Sequence, residues 1–156
     1  ARNEQLQLAP MVEEIFTDLA PLAEKRSITL TAEGDGIMTG SDALIYRLIF
    51  NLTENAVKYN RPGGSVRVSV TQGLEKLLLR VSDTGCGIPE VYQRSIFQPF
   101  FRVDKSRSRE YGGAGLGLSL VWEIANLHGG SVWVEESSEK GTTIAVELPT
   151  QQSAKP

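Results

Sequence analysis

A chain of 156 residues that is 40% hydrophobic and 22% charged has the size and composition of one compact domain with a real core. Its formal charge of −3 gives no global attraction to nucleic acid or to an anionic membrane surface, so any basic site has to be local. The single cysteine, Cys86, excludes an internal disulfide and fits a reducing compartment, while no apolar run approaches the roughly 18 residues of a membrane span and no signal-peptide pattern opens the chain.

In chain order, the polar stretch 1–9 reads as linker from an upstream domain. Val12, Ile15, Phe16, Leu19, Leu22 and Ala23 then recur at three- and four-residue steps, which predicts an amphipathic helix from Pro10 to about Arg26, kinked at Pro21. "SITLTAE" alternates as a strand and "GDG" turns it. Ser41 and Asp42 offer an N-cap for a helix to about Asn60 with the core stripe Ile45, Leu48, Ile49, Leu52 and Ala56. "SVRVSV" and "LLLRVS" form a hairpin, with Val66, Val68 and Val70 on one face and Leu77, Leu79 and Val81 likewise. After an irregular middle, an apolar helix runs from Gly117 to about His128, stopped by Gly129 and Gly130. "SVWVEE" and "TTIAVELP" close the domain around Lys140 and Gly141, and 150–156 reads as a tail. The order predicts an α+β fold over 10–149, a two-layer sandwich whose mixed, mostly antiparallel sheet is covered on one face by three helices.

Chemistry concentrates in four places. On the second helix Asn51, Asn55 and Lys58 stand at i, i+4 and i+7 and form one polar stripe beside the core stripe. Two mid-helix asparagines cost roughly half a kcal/mol each against alanine, so a ligand is one reading and a solvated face the other. An amide oxygen ligates Mg²⁺ and an ammonium balances phosphate oxygens. "DTGCGIP" at 83–89 puts a carboxylate at a strand end before G-x-G, which suits an amino group and a flat ring against the backbone; a tight strand exit with Asp83 capping a turn fits equally. Cys86, between two glycines, reads as a tolerated small residue rather than a redox group.

"IFQPFFRVDKSRSRE" places Phe97, Phe100 and Phe101 around Pro99, and reads as satellite core or as a docking surface. Arg102, Lys105, Arg107 and Arg109 follow, a local basic run suited to a loop that closes over phosphates. In "YGGAGLGLSL" the glycines Gly113, Gly115 and Gly117 match neither the dinucleotide fingerprint nor a P-loop. They open the last helix instead, where free N–H groups over Gly115, Leu116, Gly117 and Leu118 favour an anion.

The ordered set "NLTENAVKY", "DTGCGI", "IFQPFFR" and "GGAGLGL", with "GTT" at 141–143, resembles the catalytic, ATP-binding domain of the sensor histidine kinases, within the superfamily that includes gyrase, the HSP90 chaperones and MutL. The resemblance covers roughly Pro10 to Pro149. It implies ATP and Mg²⁺ as ligands, bound between helices and a lid. Asn55 resembles the metal-ligating asparagine, Asn51 and Lys58 the flanking phosphate contacts of the catalytic helix, and Tyr59 a residue near the ribose or phosphates. Asp83 is similar to the adenine reader, with Gly85 and Gly87 shaping the pocket, Ile88 beside them and Thr142 as the paired threonine. Phe97, Phe100 and Phe101 resemble the F box, which implies contact with a partner domain. Arg102 and Lys105 fall in the lid, and Gly113, Gly115 and Gly117 in the second glycine box.

Hydrolytic members of that superfamily carry a glutamate four residues before the metal asparagine as general base. Here that residue is Asn51, whose amide takes no proton, so the resemblance implies transfer to an external nucleophile. The expected acceptor is a histidine on a separate dimerising phosphoacceptor domain, with a response regulator as indirect partner and neither nucleic acid nor direct membrane contact. His128, in "NLHGG", reads as a helix-end residue interacting with the last carbonyls. The expected setting is cytoplasmic, and the alternative is a nucleotide-binding pseudokinase or sensor module without turnover.

Overall fold

The computed structural model describes residues 3–99 and 118–151. Within them the elements run β1 (Glu4–Gln7), α1 (Leu8–Lys25), β2 (Thr29–Gly34), β3 (Ile37–Gly40), α2 (Asp42–Lys58), β4 (Ser65–Gln72), β5 (Lys76–Asp83), α3 (Ser119–Leu127), β6 (Ser131–Ser138) and β7 (Gly141–Pro149), with 3₁₀ turns at Glu90–Tyr92 and Ser95–Phe97. Five strands form one sheet in the order β2-β4-β5-β7-β6. The β2–β4 pair is parallel and every other pair in that sheet is antiparallel. The parallel pair follows from the crossover through α2, which returns the chain to the end where β2 began. Helix α1 lies over β2, α2 over β4 and β5, and α3 over β6 and β7, so the α+β two-layer sandwich expected from the pattern is the fold.

The two periodicities meet in one core. Every second residue of the hairpin, Val66, Val68, Val70, Leu77, Leu79 and Val81, is buried, and β7 adds Val146 and Leu148. Against them α1 sets Val12, Ile15, Leu19 and Ala23, α2 sets Ile45, Leu48, Ile49, Leu52 and Ala56, and α3 sets Val121, Ile124 and Ala125. No helix of the described residues is long and apolar enough to cross a membrane.

Three details differ from the sequence expectation. Residues 4–7, expected as linker, form β1 and pair antiparallel with β3, a strand that the sequence pattern did not signal. Four residues are too few to display a period, yet the register sets Leu6 opposite Met38 and buries both. At the other end Thr150, expected in the tail, accepts from the Thr39 N–H at 2.9 Å and donates its own N–H to Glu75 O at 2.9 Å, so the expected boundaries at Pro10 and Pro149 both fall inside bonded structure. Helix α1 begins at Leu8 and continues through Pro21 because its apolar stripe extends to Ala23. It closes at Ser27, whose φ of 58° lets the Ile28 N–H reach Ala23 O at 2.8 Å.

Candidate functional site

Helix α2 is anchored at both ends. The Ser41 hydroxyl accepts from the Leu44 N–H at 3.3 Å and starts the helix as an N-cap. The Ser41 N–H in turn donates to His128 Nε2 at 3.1 Å, which leaves the ring proton on Nδ1, 2.9 Å from Ile124 O. At the far end the Arg26 guanidinium donates to Val57 O in the last turn at 3.0 Å and to Asn60 O, just past the helix, at 3.1 Å, adding to the Asn60 N–H that already reaches Val57 O. Asn60 is buried; it donates to Ser65 O at 2.9 Å and accepts from Thr84 Oγ1 at 3.0 Å. The end of α2, the start of β4 and the exit of β5 are thereby clipped together.

Beside this clip lies a cleft, partly open to solvent, between α2 and the sheet. Leu52, Asn55, Ala56 and Tyr59 of α2 and its C-cap form one wall, and Val81, Asp83, Thr142 and Ile144 of β5 and β7 the other. Cys86, Gly87, Ile88 and Leu118 complete the lining. Asp83 ends β5 directly opposite Thr142. Its Oδ1 accepts from the Gly85 N–H at 2.8 Å and from the Thr142 N–H at 3.2 Å. Burial pushes the Asp83 carboxyl above the usual carboxylate range, partly offset by those two N–H donors. Oδ2 takes no hydrogen bond among the described residues, so the carboxylate keeps an acceptor for a ligand. Burial first, and then the charge of Glu54, raises the Tyr59 phenol, which stays protonated at neutral pH.

Glycine is required twice around this carboxylate. Gly87 has φ of 84°, and a Cβ there would stand 2.1 Å from Ser138 O. Gly141 has φ of 140°, and its Cβ would fall 1.9 Å from Asp83 O. The backbones of the β5 exit and the β6–β7 turn are therefore in direct contact, which is what holds Asp83 against Thr142.

Of the residues singled out from the sequence, Asn55, Tyr59, Asp83, Gly87, Ile88, Leu118 and Thr142 converge on this cleft. Gly85 acts from beneath it through its N–H on Asp83. Asn51 and Lys58 lie outside the lining: Asn51 is half-buried on α2, and Lys58 is exposed with its Nζ 3.9 Å from Glu54 Oε1. Phe97 is 8% exposed and belongs to the core cluster, as the satellite-core reading held. His128, 4% exposed, makes the helix-end contact expected of it. Phe100, Phe101, Arg102, Lys105, Gly113, Gly115, Leu116 and Gly117 lie outside the described residues.

Sequence reasoning took Leu52, Ala56 and Val81 for core alone, although each also faces the cleft. It missed Asn60, and also Ser137, whose Oγ accepts from the Ile88 N–H of the cleft lining at 2.7 Å. Asn60 stands just before the turn-forming Pro62, Gly63 and Gly64, a signal for a local cap that went unused.

Chemically the cleft offers apolar walls for a flat ring, one carboxylate acceptor at its floor and the Asn55 amide on the helix side. No cluster of three or more His, Cys, Asp or Glu side chains able to hold a metal occurs among the described residues. Of the α2 residues that line the cleft, Asn55 carries the side-chain oxygen that could serve as one ligand to a Mg²⁺ otherwise held by water and phosphate oxygens.

Residues 40–152 match the family described as histidine kinase-, DNA gyrase B-, and HSP90-like ATPase. The chain is 35% identical over 145 residues to the sensor histidine kinase RppB of Synechocystis sp., which covers 91% of this chain and 32% of that protein. It is 41% identical over 110 residues to the sensor histidine kinase WalK of Bacillus subtilis, covering 69% of this chain and 18% of that protein. The chain thus spans about a third or less of the length of these curated relatives. Among solved structures, the catalytic domain of histidine kinase ThkA superposes with a TM-score of 0.85 at 25% identity, covering 97% of this chain and 99% of that one.

Proposed function

The chain belongs to the histidine kinase-, DNA gyrase B-, and HSP90-like ATPase family, and we propose that it binds Mg²⁺-ATP and donates the γ-phosphoryl group to a histidine on a separate, dimerising phosphoacceptor domain of its parent protein. The observation that carries this reading is the Asp83 carboxylate, fixed by two backbone N–H groups at the floor of an apolar cleft with Oδ2 left to accept an adenine amino group. Asn55 lines the same cleft and supplies an amide oxygen toward a phosphate-bound Mg²⁺, which when present neutralises charge on the phosphates. Lys58 is exposed one turn on and reaches a phosphate by giving up its contact with Glu54, an exposed pair worth well under about 1 kcal/mol.

One feature favours transfer over hydrolysis, and another bears on where the acceptor lies. Asn51 stands one helical turn before Asn55 and cannot act as a general base toward water. The chain's single histidine is buried with Nε2 accepting from Ser41 and Nδ1 against Ile124 O, so it is no nucleophile for this cleft. The acceptor imidazole therefore comes from another domain: the bond between the γ-phosphorus and the bridging oxygen breaks, a phosphorus–nitrogen bond forms, and ADP leaves. The partner domain docks near the groove that Phe97 lines with Val91, Trp122 and Trp133, a response regulator takes the phosphoryl group afterwards, and the domain works in the cytoplasm.

The test mixes the chain with the purified phosphoacceptor hairpin of its own parent protein and γ-labelled ATP. Acid-labile, base-stable label on the hairpin is expected. ATP that binds without labelling the hairpin would leave a nucleotide-binding module without turnover, and steady hydrolysis by the chain alone, abolished by Asn55→Ala, would move it to the hydrolytic branch.

A further inference from the structure

Strand β6 does not keep its alternation. Val132 stands opposite Val146 and Val134 opposite Ile144, but a bulge follows, so that Glu136 meets Thr143 and Ser137 meets Thr142. The extra residue reverses which side chains face the helices. Without it Glu136 would stand opposite Thr142, a second carboxylate on the far side of that threonine from Asp83. With it, a small hydroxyl takes that place.

The Ser137 hydroxyl sits at the centre of a short chain of hydrogen bonds. Its Oγ accepts from the Ile88 N–H at 2.7 Å and lies 2.8 Å from Thr142 Oγ1. A serine hydroxyl has one proton and two lone pairs, and the Ile88 N–H occupies one lone pair. Either oxygen can donate in that contact, but among the described residues the Ser137 proton finds a partner only by going to Thr142 Oγ1. Thr142, 5% exposed and lining the cleft, then keeps its own proton to donate into the cleft. Side by side, Asp83 Oδ2 accepts and Thr142 Oγ1 donates.

We infer that Ser137 is a positioning residue that sets the polarity of the Thr142 hydroxyl, so that the cleft selects a heteroaromatic ring bearing an amino group next to an unprotonated ring nitrogen. This rests on the reading of the cleft as an adenine nucleotide site. Adenine meets the pattern with its 6-amino group and either flanking nitrogen, N1 or N7. Ser137 touches no ligand; it acts through Thr142, and through Ile88 it holds the glycine loop at the same time.

The test measures binding of ADP, 1-deaza-ADP and 7-deaza-ADP by titration calorimetry with the wild-type chain and with Ser137→Ala, Ser137→Thr, Thr142→Val and Asp83→Asn. In the wild type, one deaza analogue is expected to bind roughly three- to tenfold more weakly than ADP, the value of one neutral hydrogen bond. Ser137→Ala closes most of that gap because the Thr142 hydroxyl no longer has an imposed direction, and Ser137→Thr, which keeps a hydroxyl in a strand, restores it. Thr142→Val abolishes the gap, and Ser137→Ala adds nothing to it in that background. A purely structural Ser137 would weaken all three nucleotides by one common factor; that outcome, or a wild type indifferent to both analogues, overturns the inference. ADP binding that is absent, or unmoved by Asp83→Asn, overturns the nucleotide reading itself. Asp83-dependent ADP binding with the gap intact in Ser137→Ala overturns only the role of Ser137.

Discussion

Replacing Asp83 with asparagine exchanges one heavy atom of the side chain, an oxygen for an NH₂ nitrogen, and should separate ligand binding from folding. In the native cleft Oδ1 serves Gly85 and Thr142 at 2.8 and 3.2 Å, and Oδ2 is the acceptor left for a ligand. An asparagine that keeps its carbonyl oxygen on those two N–H groups turns its NH₂ into the cleft, where a donor meets the donor of an adenine amino group. The loss is one charge-assisted hydrogen bond, about 1.5–3 kcal/mol, or roughly 10- to 150-fold in affinity. The fold should not suffer, because burial already opposes the charge on Asp83 and a neutral amide avoids that cost. Calorimetric titration with ADP and with inorganic triphosphate reads the effect: ADP weakens by that factor, triphosphate is unchanged, and the melting temperature stays within a few degrees. ADP affinity that is unchanged in Asp83→Asn would refute the assignment of Asp83, and equal losses for ADP and triphosphate would show a general disturbance instead.

Acidification acts on the same atom. Because the folded Asp83 carboxyl is raised, it takes up a proton on lowering the pH before an ordinary carboxylate does; ADP affinity should therefore begin to fall at a higher pH in the wild type than the titration of a free aspartate predicts, and this step should vanish in Asp83→Asn. The same shift lowers stability as pH rises from the unfolded to the folded value, since the folded state binds the proton more tightly, and urea unfolding across that window checks the sign. Gly141→Ala forces a Cβ to 1.9 Å from Asp83 O at a φ of 140°, so a loss of about 3 kcal/mol or more is expected in denaturant unfolding, together with ADP binding. Arg26→Ala removes two charge-assisted bonds, to Val57 O in the last turn of α2 and to Asn60 O just past it, and should cost about 2 kcal/mol, seen as a fall of roughly 4–8 °C in melting temperature.

Most of the helices and strands were legible in contiguous stretches of the sequence. Apolar spacing announced α1 and α2, alternation announced the hairpin, and Asp83 at a strand end before two glycines announced a polar floor with close backbone approach. Such signals are local: a period, a cap or a turn is written in contiguous residues, because the backbone geometry that reads them repeats every few positions. Tertiary structure decided whatever depends on register between distant segments. β1 and β3 exist only by pairing Leu6 with Met38, and Asp83 becomes a fixed acceptor only when Thr142, 59 residues away, closes on it. The bulge in β6 is the clearest case, since "EESS" puts a carboxylate or a hydroxyl beside Thr142 according to a one-residue slip. That choice is made by the burial of Val132 and Val134 on one side of the bulge and by the hydrogen bonds of Ser137 to Ile88 and Thr142 on the other, contacts between segments that no stretch of the chain contains by itself.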